Sequence, residues 1–275
     1  MTKVKVKDKE LYFDGILHKN LEQIKVTIRK DWDYVFVVDG EEGSGKSVLA
    51  QQLAYFCSDG NFDVDNICFT PEQFRDAILK APKYSAVIFD EAFRGLSSRG
   101  AMGATNKAIV TMMSEIRQKN LFVFIVLPNV WDLDAYVRLH RLKGLIHVYV
   151  DEKRDRGYFR FYSKQKMLLF LADYKNRYKH PSTSTFYGRF TNTYPLDEKA
   201  YRKKKHEALG NISEEDDGKK DRNRMYAYEL LYLLNKVCHV PYDTIAEKTS
   251  ISRQTLMNIN KYGKGQGLEG TKDLL

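Results

Sequence analysis

The stretch between residues 35 and 54 most constrains how this chain folds. A β-branched and aromatic run over residues 35–39 leads into the glycine-rich turn Gly40–Ser47, which follows the pattern G-x-x-x-x-G-K-S, and a helical pattern continues to Ala54. A strand, a glycine-rich turn and a helix in this order are the context that a phosphate-binding loop (P-loop) requires. The sequence therefore predicts a strand–loop–helix unit that holds the phosphates of a nucleotide.

Each residue type in this loop suits phosphate binding. Glycines allow backbone conformations in which amide N–H groups converge on phosphate oxygens, and the helix N-terminus behind them adds about half a positive charge. Lys46 is expected to reach the β- and γ-phosphates, and the Ser47 hydroxyl to ligate Mg²⁺. The predicted nucleotide-binding residues are Gly40, Gly43, Ser44, Gly45, Lys46, Ser47 and Val48.

Two acids, Asp90 and Glu91, end a second buried-strand pattern over residues 85–89. In an enzyme with a P-loop, the first acid holds Mg²⁺ directly or through water. The second carboxylate can polarise a water molecule for in-line attack on the γ-phosphorus. The pair therefore predicts hydrolysis of Mg-ATP, with Asp90 at the metal and Glu91 and Lys46 as catalytic residues. It disfavours small-molecule kinases, which usually lack this glutamate, and GTPases are disfavoured because no N-K-x-D motif is present.

Further catalytic candidates are less specific. Asn129 follows the apolar run Leu121–Leu127, where it is predicted either to sense the γ-phosphate or to serve as a turn residue after Pro128. An arginine finger, often contributed by a neighbouring subunit in this class, is sought among five arginines. They are Arg94, Arg99, Arg117, Arg138 and Arg141.

The order of patterns predicts the fold. Continuous apolar runs separated by helices indicate a mostly parallel sheet covered on both faces, that is, a three-layer α/β P-loop NTPase fold, with a small all-α module at the C-terminus. We divide the chain into an N-terminal extension (1–31), an ATPase domain (32–174), a basic, aromatic-rich segment ending in an acidic linker (175–218), the all-α module (219–262) and a disordered tail (263–275). Little regular structure is expected from Lys175 to the linker.

The positive charge is concentrated in one part of the chain. The net charge is +9, and residues 151–206 carry fifteen Lys or Arg against six Asp or Glu, so the remaining residues carry thirty of each sign. A surplus this localised favours a polyanionic partner such as DNA. The run Arg202, Lys203, Lys204 and Lys205 is predicted to bind phosphates of nucleic acid, the alternative being a solvated flank.

Cysteines and histidines give negative predictions. The three cysteines are widely separated and are expected to be unpaired thiols in a reducing, cytoplasmic compartment, which would be the host cytoplasm for a viral protein. The six histidines form no H-x-x-x-H or Cys/His cluster, so no structural zinc is predicted. The longest apolar run is too short for a membrane span.

Residues 244–259 resemble a helix-turn-helix. Ala246 is the small residue at the crossing of the two helices, Ile251 and Leu256 are the expected apolar plugs, and Ser252 is the expected cap of the second helix. Ser250 stands where glycine is usual. The residues then expected to face DNA are Arg253, Gln254 and Asn258. The alternative is a helical protein-docking module without DNA contact.

Together, Gly40–Ser47, the Asp90-Glu91 pair and the later strand before Asn129 resemble the additional-strand, catalytic-glutamate group of P-loop ATPases. With the Glu115–Asn120 stretch leading into that strand, residues 30–165 resemble phage ATPases of the zonular occludens toxin type and, more loosely, DNA-pumping motors of the FtsK/HerA type. The resemblance implies ATP and Mg²⁺ as cofactors and a homo-oligomeric ring. Toxin-type proteins typically carry a membrane span and this chain has none, which favours a soluble DNA motor.

The sequence thus leads to three functional hypotheses. The first is a viral or mobile-element ATPase that couples hydrolysis to DNA translocation or packaging, with a portal, capsid or other phage protein as a further partner. The second is an ATP-dependent DNA-binding regulator or replication loader that uses the C-terminal helix-turn-helix. The third is an assembly or extrusion ATPase of the zonular occludens toxin type.

Overall fold

A computed structural model describes residues 2–90, 99–177, 179–208, 230–231, 234–235, 238–249 and 251–257. Residues Met1–Gly210 form one compact unit and Asn211–Leu275 a second. The first unit combines the predicted N-terminal extension, the predicted ATPase domain and the predicted basic segment up to residue 210. The predicted acidic stretch 213–218 and the predicted disordered tail 263–275 lie outside the described residues.

Strands and helices alternate along much of the first unit. In chain order they are β1 (Thr2–Val6), β2 (Lys9–Phe13), α1 (Gly15–Ile28), β3 (Tyr34–Gly40), α2 (Lys46–Cys57), β4 (Ile67–Cys68), α3 (Pro71–Lys80), β5 (Ala86–Asp90), α4 (Arg99–Gln118), β6 (Phe122–Val126), β7 (Leu142–Tyr149), β8 (Tyr158–Ser163), α5 (Lys164–Ala172), β9 (Phe186–Arg189) and α6, the helical residues 198–208.

A mixed sheet of seven strands in the described residues forms the centre of this unit. The strand order is β4-β5-β6-β3-β7-β8-β9. The first five strands are parallel to one another, and β8 and β9 complete the sheet in antiparallel fashion. The prediction of a mostly parallel α/β sheet is confirmed. Strands β1 and β2 pair separately as an antiparallel ribbon.

Helices cover both faces of the sheet, because side chains of successive strand residues point to opposite faces. On one face, α2 packs against β3, β5 and β6, and α1 packs against α2. On the other face, Val35 and Val37 of β3 and Val87 and Phe89 of β5 join a buried cluster with residues of α3, α4 and α5. By this alternation, Asp39 lies on the α5 face and Asp90 lies on the α2 face.

Several local predictions are confirmed. Strands β5 and β6 are buried along their whole length, as the continuous apolar runs predicted. The sequence Thr70-Pro71-Glu72-Gln73 predicts a helix start with Thr70 as its N-cap. In the structure the Thr70 hydroxyl accepts a hydrogen bond from the Gln73 N–H at 3.2 Å and caps α3, which begins at Pro71. The apolar runs over residues 145–150 and 158–162 predict a hairpin, and β7 and β8 pair as one.

Other local predictions are wrong. Residues after Lys175 are not irregular, because they contain the edge strand β9 and the helix α6. The apolar pattern after Asp132 predicts a helix that carries Tyr136, Val137, Leu139 and Leu142. Residues 135–141 are helical, with a π-helix at Val137–Arg141, but Leu142 already begins β7, so the prediction is wrong only at this end.

The second unit is described only in part. It contains the helix α7 (Tyr242–Lys248) and a helical turn at residues 253–257. Ile245 and Leu256 are buried, and the Ser252 hydroxyl accepts a hydrogen bond from the Thr255 N–H at 3.2 Å. Ile251 is exposed, so its predicted role as a buried plug is wrong; it lies in the turn between the two helical stretches. Among the described residues of the whole chain, no helix has the length and apolarity that crossing a membrane requires.

Candidate functional site

The glycine-rich loop Gly40–Ser47, the predicted P-loop, joins β3 to α2 at the carboxyl edge of the sheet. Gly40, Gly43 and Gly45 have φ angles of +140°, +74° and +102°, which side chains rarely tolerate. Gly40 also lies against β7, where an added Cβ atom would be 2.0 Å from the Val148 carbonyl oxygen. The loop conformation therefore depends on glycine at these places, as the phosphate-binding pattern requires.

Lys46 is folded back over the loop. Its Nζ donates hydrogen bonds to the carbonyl oxygens of Gly40 at 2.7 Å and Glu41 at 2.8 Å. The Ser44 hydroxyl is buried without a hydrogen-bond partner among the described residues. A phosphate oxygen in the loop could accept hydrogen bonds from both side chains, so this part of the chain fits a nucleotide.

The loop also has neighbours that the sequence did not predict. A Cβ atom added at Gly45 would lie 3.2 Å from the Phe190 ring, and one added at Gly43 would lie 3.6 Å from the Arg156 guanidinium. Arg154 forms an ion pair with Glu41 at 3.0 Å. Phe190 follows β9, and both arginines belong to the turn between β7 and β8, so the antiparallel end of the sheet borders the glycine-rich loop.

Asp90 ends β5 beside the first turn of α2. Its Oδ1 accepts a hydrogen bond from the Ser47 hydroxyl at 3.1 Å, and its side chain is buried. A hydroxyl and a carboxylate at this spacing are oxygen ligands of the kind Mg²⁺ prefers. Ser47 and Asp90, predicted from two motifs 43 residues apart, are therefore brought together.

Helix α6 reaches the other oxygen of the same carboxylate. The Tyr201 hydroxyl donates to Asp90 Oδ2 at 2.6 Å, and Lys205 Nζ lies 3.4 Å from that oxygen. Burial and the Asp90 charge raise the pKa of Tyr201 above its ordinary value, so the phenol remains a proton donor. The sequence missed Tyr201, whose place in a tyrosine-rich basic segment gave no specific signal.

The remaining catalytic predictions have different outcomes in the structure. Glu91 lies outside the described residues. Asn129 caps a short 3₁₀-helix, accepting a hydrogen bond from the Trp131 N–H at 3.0 Å and donating to the Arg177 carbonyl at 3.5 Å. These contacts fit the turn-residue alternative, and its role as a γ-phosphate sensor stays a prediction.

Three of the five candidate finger arginines have local partners. Arg117 pairs with Asp31, Arg138 donates to the Trp131 carbonyl and lies over its ring, and Arg141 pairs with Asp33 at 2.6 Å. Arg94 lies outside the described residues, and the Arg99 side chain is not described either.

The predicted nucleic-acid residues of the basic run divide into two pairs on α6. Lys205 turns inward to Asp90, and Lys204 donates to the Val64 carbonyl at 2.8 Å. Arg202 and Lys203 are exposed and form helix-surface ion pairs with Glu198 and Glu207. Phosphate binding by this run stays a prediction, for which Arg202 and Lys203 offer the accessible charges.

In the second unit, Arg253 forms an exposed ion pair with Asp243 at 3.2 Å. Gln254 is exposed. Asn258 lies outside the described residues. DNA contact by these three residues also stays a prediction.

A second cluster of polar residues lies on the opposite face of the sheet. Asp39, fully buried, contacts His147 Nδ1 through Oδ1 and His180 Nε2 through Oδ2, both at 2.9 Å. Burial alone would raise the pKa of Asp39, but the two histidine contacts outweigh it and hold the pKa at about 2. No sequence motif joins these residues, which lie 108 and 141 positions apart from Asp39.

Comparison with known proteins adds little to this site. No family model matches the chain, and no curated protein matches it. A solved structure of the N-terminal domain of zonular occludens toxin from Neisseria meningitidis is similar at 17% sequence identity and a TM-score of 0.35, over 62% of this chain and 98% of that chain. At this identity and TM-score, functional inference rests on the residues of the site itself. The mostly parallel sheet and the glycine-rich loop are compatible with a P-loop NTPase fold.

Proposed function

We propose that this protein is a Mg-ATP-hydrolysing P-loop ATPase that couples hydrolysis to the movement or packaging of DNA. The proposal of ATP hydrolysis rests on the contact between Ser47 Oγ and Asp90 Oδ1, which are 3.1 Å apart. It joins the end of the glycine-rich loop to the end of a neighbouring strand. Strand β6 lies between β3 and β5, so one further strand separates the strand before the loop from the strand that ends at Asp90.

The residues of the site have distinct proposed roles. The loop amides and Lys46 would bind the phosphates, and Ser47 and Asp90 would hold Mg²⁺, which neutralises phosphate charge when bound. Tyr201 would orient the Asp90 carboxylate from behind through its 2.6 Å hydrogen bond. Glu91 would orient the attacking water molecule, as a general base at hydrogen-bond distance does.

Coupling to DNA is supported by charge. The surplus of positive residues lies between positions 151 and 206, the segment that supplies Arg154 and Arg156 at the P-loop and the exposed Arg202 and Lys203 on α6. A polyanion bound at these charges would therefore contact the same elements that border the nucleotide. A homo-oligomeric ring that encircles DNA belongs to the same proposal.

The enzymatic part is tested with Glu91→Gln. This variant should bind Mg-ATP as the natural chain does, while its rate of phosphate release falls by about 100-fold or more, because the water molecule loses its base. Glu72→Gln, a substitution on α3, makes the same chemical change as a control. Normal turnover by Glu91→Gln would contradict the proposed mechanism.

The coupling to DNA is tested with a charge-matched pair of double variants. Arg202→Gln/Lys203→Gln should weaken DNA binding and DNA-stimulated hydrolysis and lower the salt dependence of binding by about two phosphate contacts. Lys19→Gln/Lys30→Gln removes the same charge from exposed positions around α1. Equal DNA affinity of the two double variants would contradict the assignment of this surface. A mass measurement of the protein with ATP and DNA present tests whether it forms a homo-oligomeric ring.

A second candidate is an ATP-dependent DNA-binding regulator. It is favoured by the two short helical stretches of the second unit, with Ile245 and Leu256 buried and Ser252 at the start of the second. A regulator that reads a sequence should protect one defined site in a footprinting assay, whereas a motor should protect none preferentially. Arg253→Ala should abolish site-specific protection if the regulator hypothesis is correct.

A further inference from the structure

Three side chains from distant parts of the chain meet beneath the start of the P-loop. Asp39 belongs to β3 near its end, His147 lies opposite it in the parallel strand β7, and His180 comes from the segment between α5 and β9. One nitrogen of each histidine and a carboxylate oxygen of Asp39 all lie within 4.8 Å of one another. The two imidazole rings are stacked, with centroids 3.6 Å apart and planes 17° from parallel.

We propose that Asp39, His147 and His180 form a binding site for a divalent transition metal, with Zn²⁺ as the expected ion. Two imidazole nitrogens and one carboxylate oxygen are a ligand set that zinc uses with three protein ligands and a water molecule. Nitrogen donors favour zinc over Mg²⁺, whose ligands are oxygens. This site is therefore chemically distinct from the Ser47–Asp90 pair on the other face of the sheet.

The spacing of the ligand atoms suits one ion. The ligand atoms of a tetrahedral zinc ion lie about 3.3 Å apart, and both histidine contacts to Asp39 are 2.9 Å. Because the two rings are stacked and an imidazole binds a metal in its own plane, at least one ring must turn out of the stack to bring both nitrogens to the same ion. The Val130 N–H donates to Asp39 Oδ2 at 3.2 Å and fixes the orientation of the carboxylate, as outer hydrogen bonds do in metal sites.

The buried charge of Asp39 and the cavity beside His180 also favour a cation at this site. The Asp39 carboxylate is fully buried, and a divalent cation held by it and by the two imidazoles would balance its charge. His180, together with Tyr162 and Phe170, lines a cavity of about 750 Å³, so one of the three proposed ligands borders a space that an ion could enter. Bound metal would tie the segment that carries His180 to the strand that enters the P-loop.

Metal content is measured on the full chain, purified without a metal-affinity tag and without nucleotide or Mg²⁺. After equilibration with Zn²⁺ and removal of the excess, inductively coupled plasma mass spectrometry should find one zinc ion per chain. His147→Gln and His180→Gln should bind Zn²⁺ about tenfold more weakly or worse. His206→Gln, which removes an exposed histidine of α6, should bind as the natural chain does.

A spectroscopic measurement on the unmodified chain covers the case in which a variant does not fold. Co²⁺ added in place of Zn²⁺ should produce the intense visible absorption of a four-coordinate site with nitrogen ligands, and Zn²⁺ should abolish it. Absence of that absorption, zinc below about one-tenth of an ion per chain, or equal zinc binding by folded His147→Gln, His180→Gln and His206→Gln would each overturn the proposal. In that outcome the cluster is a hydrogen-bonded triad only.

Discussion

Two buried aspartates lie at the ends of parallel strands at the same edge of the sheet, and they differ in everything around them. Asp90 faces α2 and contacts a serine hydroxyl, a tyrosine hydroxyl and a lysine ammonium group. Asp39 faces α5 and contacts two histidines and a backbone N–H. The two aspartates therefore have different contacts because their side chains point to opposite faces of the sheet.

The difference follows from strand alternation and from what covers each face. On the α2 face, the helix that follows the glycine-rich loop begins beside Asp90, so the Ser47 hydroxyl lies within hydrogen-bond distance of the carboxylate. On the α5 face, the neighbouring strand supplies His147 in register, so the carboxylate is surrounded by nitrogen donors. Between the two lies Gly40, which follows Asp39 directly and opens the P-loop.

The largest expected effect is on the rate of ATP hydrolysis, which should depend on Asp90 much more than on Asp39. Asp90→Asn should lower the rate of Mg-dependent phosphate release by about 100-fold or more, because a carboxylate that holds the metal is lost. Asp76→Asn, at an exposed position of α3, is the matched control in the same assay. If Asp39→Asn lowered turnover as strongly as Asp90→Asn does, the contrast between the two sites would fail.

The next effect concerns the residue between the sites. Gly40→Ala should lower the free energy of unfolding by about 2–3 kcal/mol, since the added Cβ would lie 2.0 Å from the Val148 carbonyl oxygen. Gly15→Ala is the control, because its Cβ would meet its nearest atom, Thr2 Oγ1, at an ordinary 3.6 Å. Urea denaturation measures both, and equal stabilities would show that β3 and β7 are not this close.

A smaller effect tests the hydrogen bond between Tyr201 and Asp90. Tyr201→Phe removes only the hydroxyl that donates to Asp90 at 2.6 Å, and it should lower the free energy of unfolding by about 1.5–3 kcal/mol, the range for hydrogen bonds to charged groups. Tyr187→Phe, on an exposed side chain of β9, should change stability by less than about 0.5 kcal/mol. If Tyr201→Phe were as stable as Tyr187→Phe, α6 would not pack as described.

The last comparison of the two faces uses their buried thiols. Cys57 belongs to α2 and Cys68 to the cluster on the opposite face. Burial raises the pKa of the Cys57 thiol and raises that of Cys68 to about 12. A thiol reagent at about pH 8 should therefore modify the exposed Cys238 first, about 100-fold faster. Mass spectrometry identifies the order, and early modification of either buried thiol would show that its face is open.

Local patterns predicted that Ser47 and Asp90 would lie together, and they do. The glycine spacing, the strand ending at Asp90 and the Thr70 cap are encoded within a few residues, so they can be recognised without the fold. Edge strands such as β9, half exposed over four residues, carry too few apolar positions to be recognised. The basic run suggests one continuous surface, yet in a helix Lys205 shares the face of Tyr201, four residues earlier, while Arg202 and Lys203 point elsewhere.

The second site could not be predicted in this way. His147 and His180 reach Asp39 only because β7 pairs with β3 and a segment after α5 returns to the same place. The scattered histidines suggested no zinc site, since sequence spacing detects only ligands that are close along the chain. Tyr201 was missed for the same reason, being 111 residues from Asp90.

The central claim is that Gly40–Ser47 and Asp90 form a working ATPase site, and the rate of phosphate release by Lys46→Ala tests it most directly. We predict that the natural chain hydrolyses Mg-ATP and that Lys30→Ala does so at the same rate. Lys46→Ala should be slower by about 100-fold or more, because the β- and γ-phosphates lose their ammonium contact. Equal rates for Lys46→Ala and Lys30→Ala would contradict the claim.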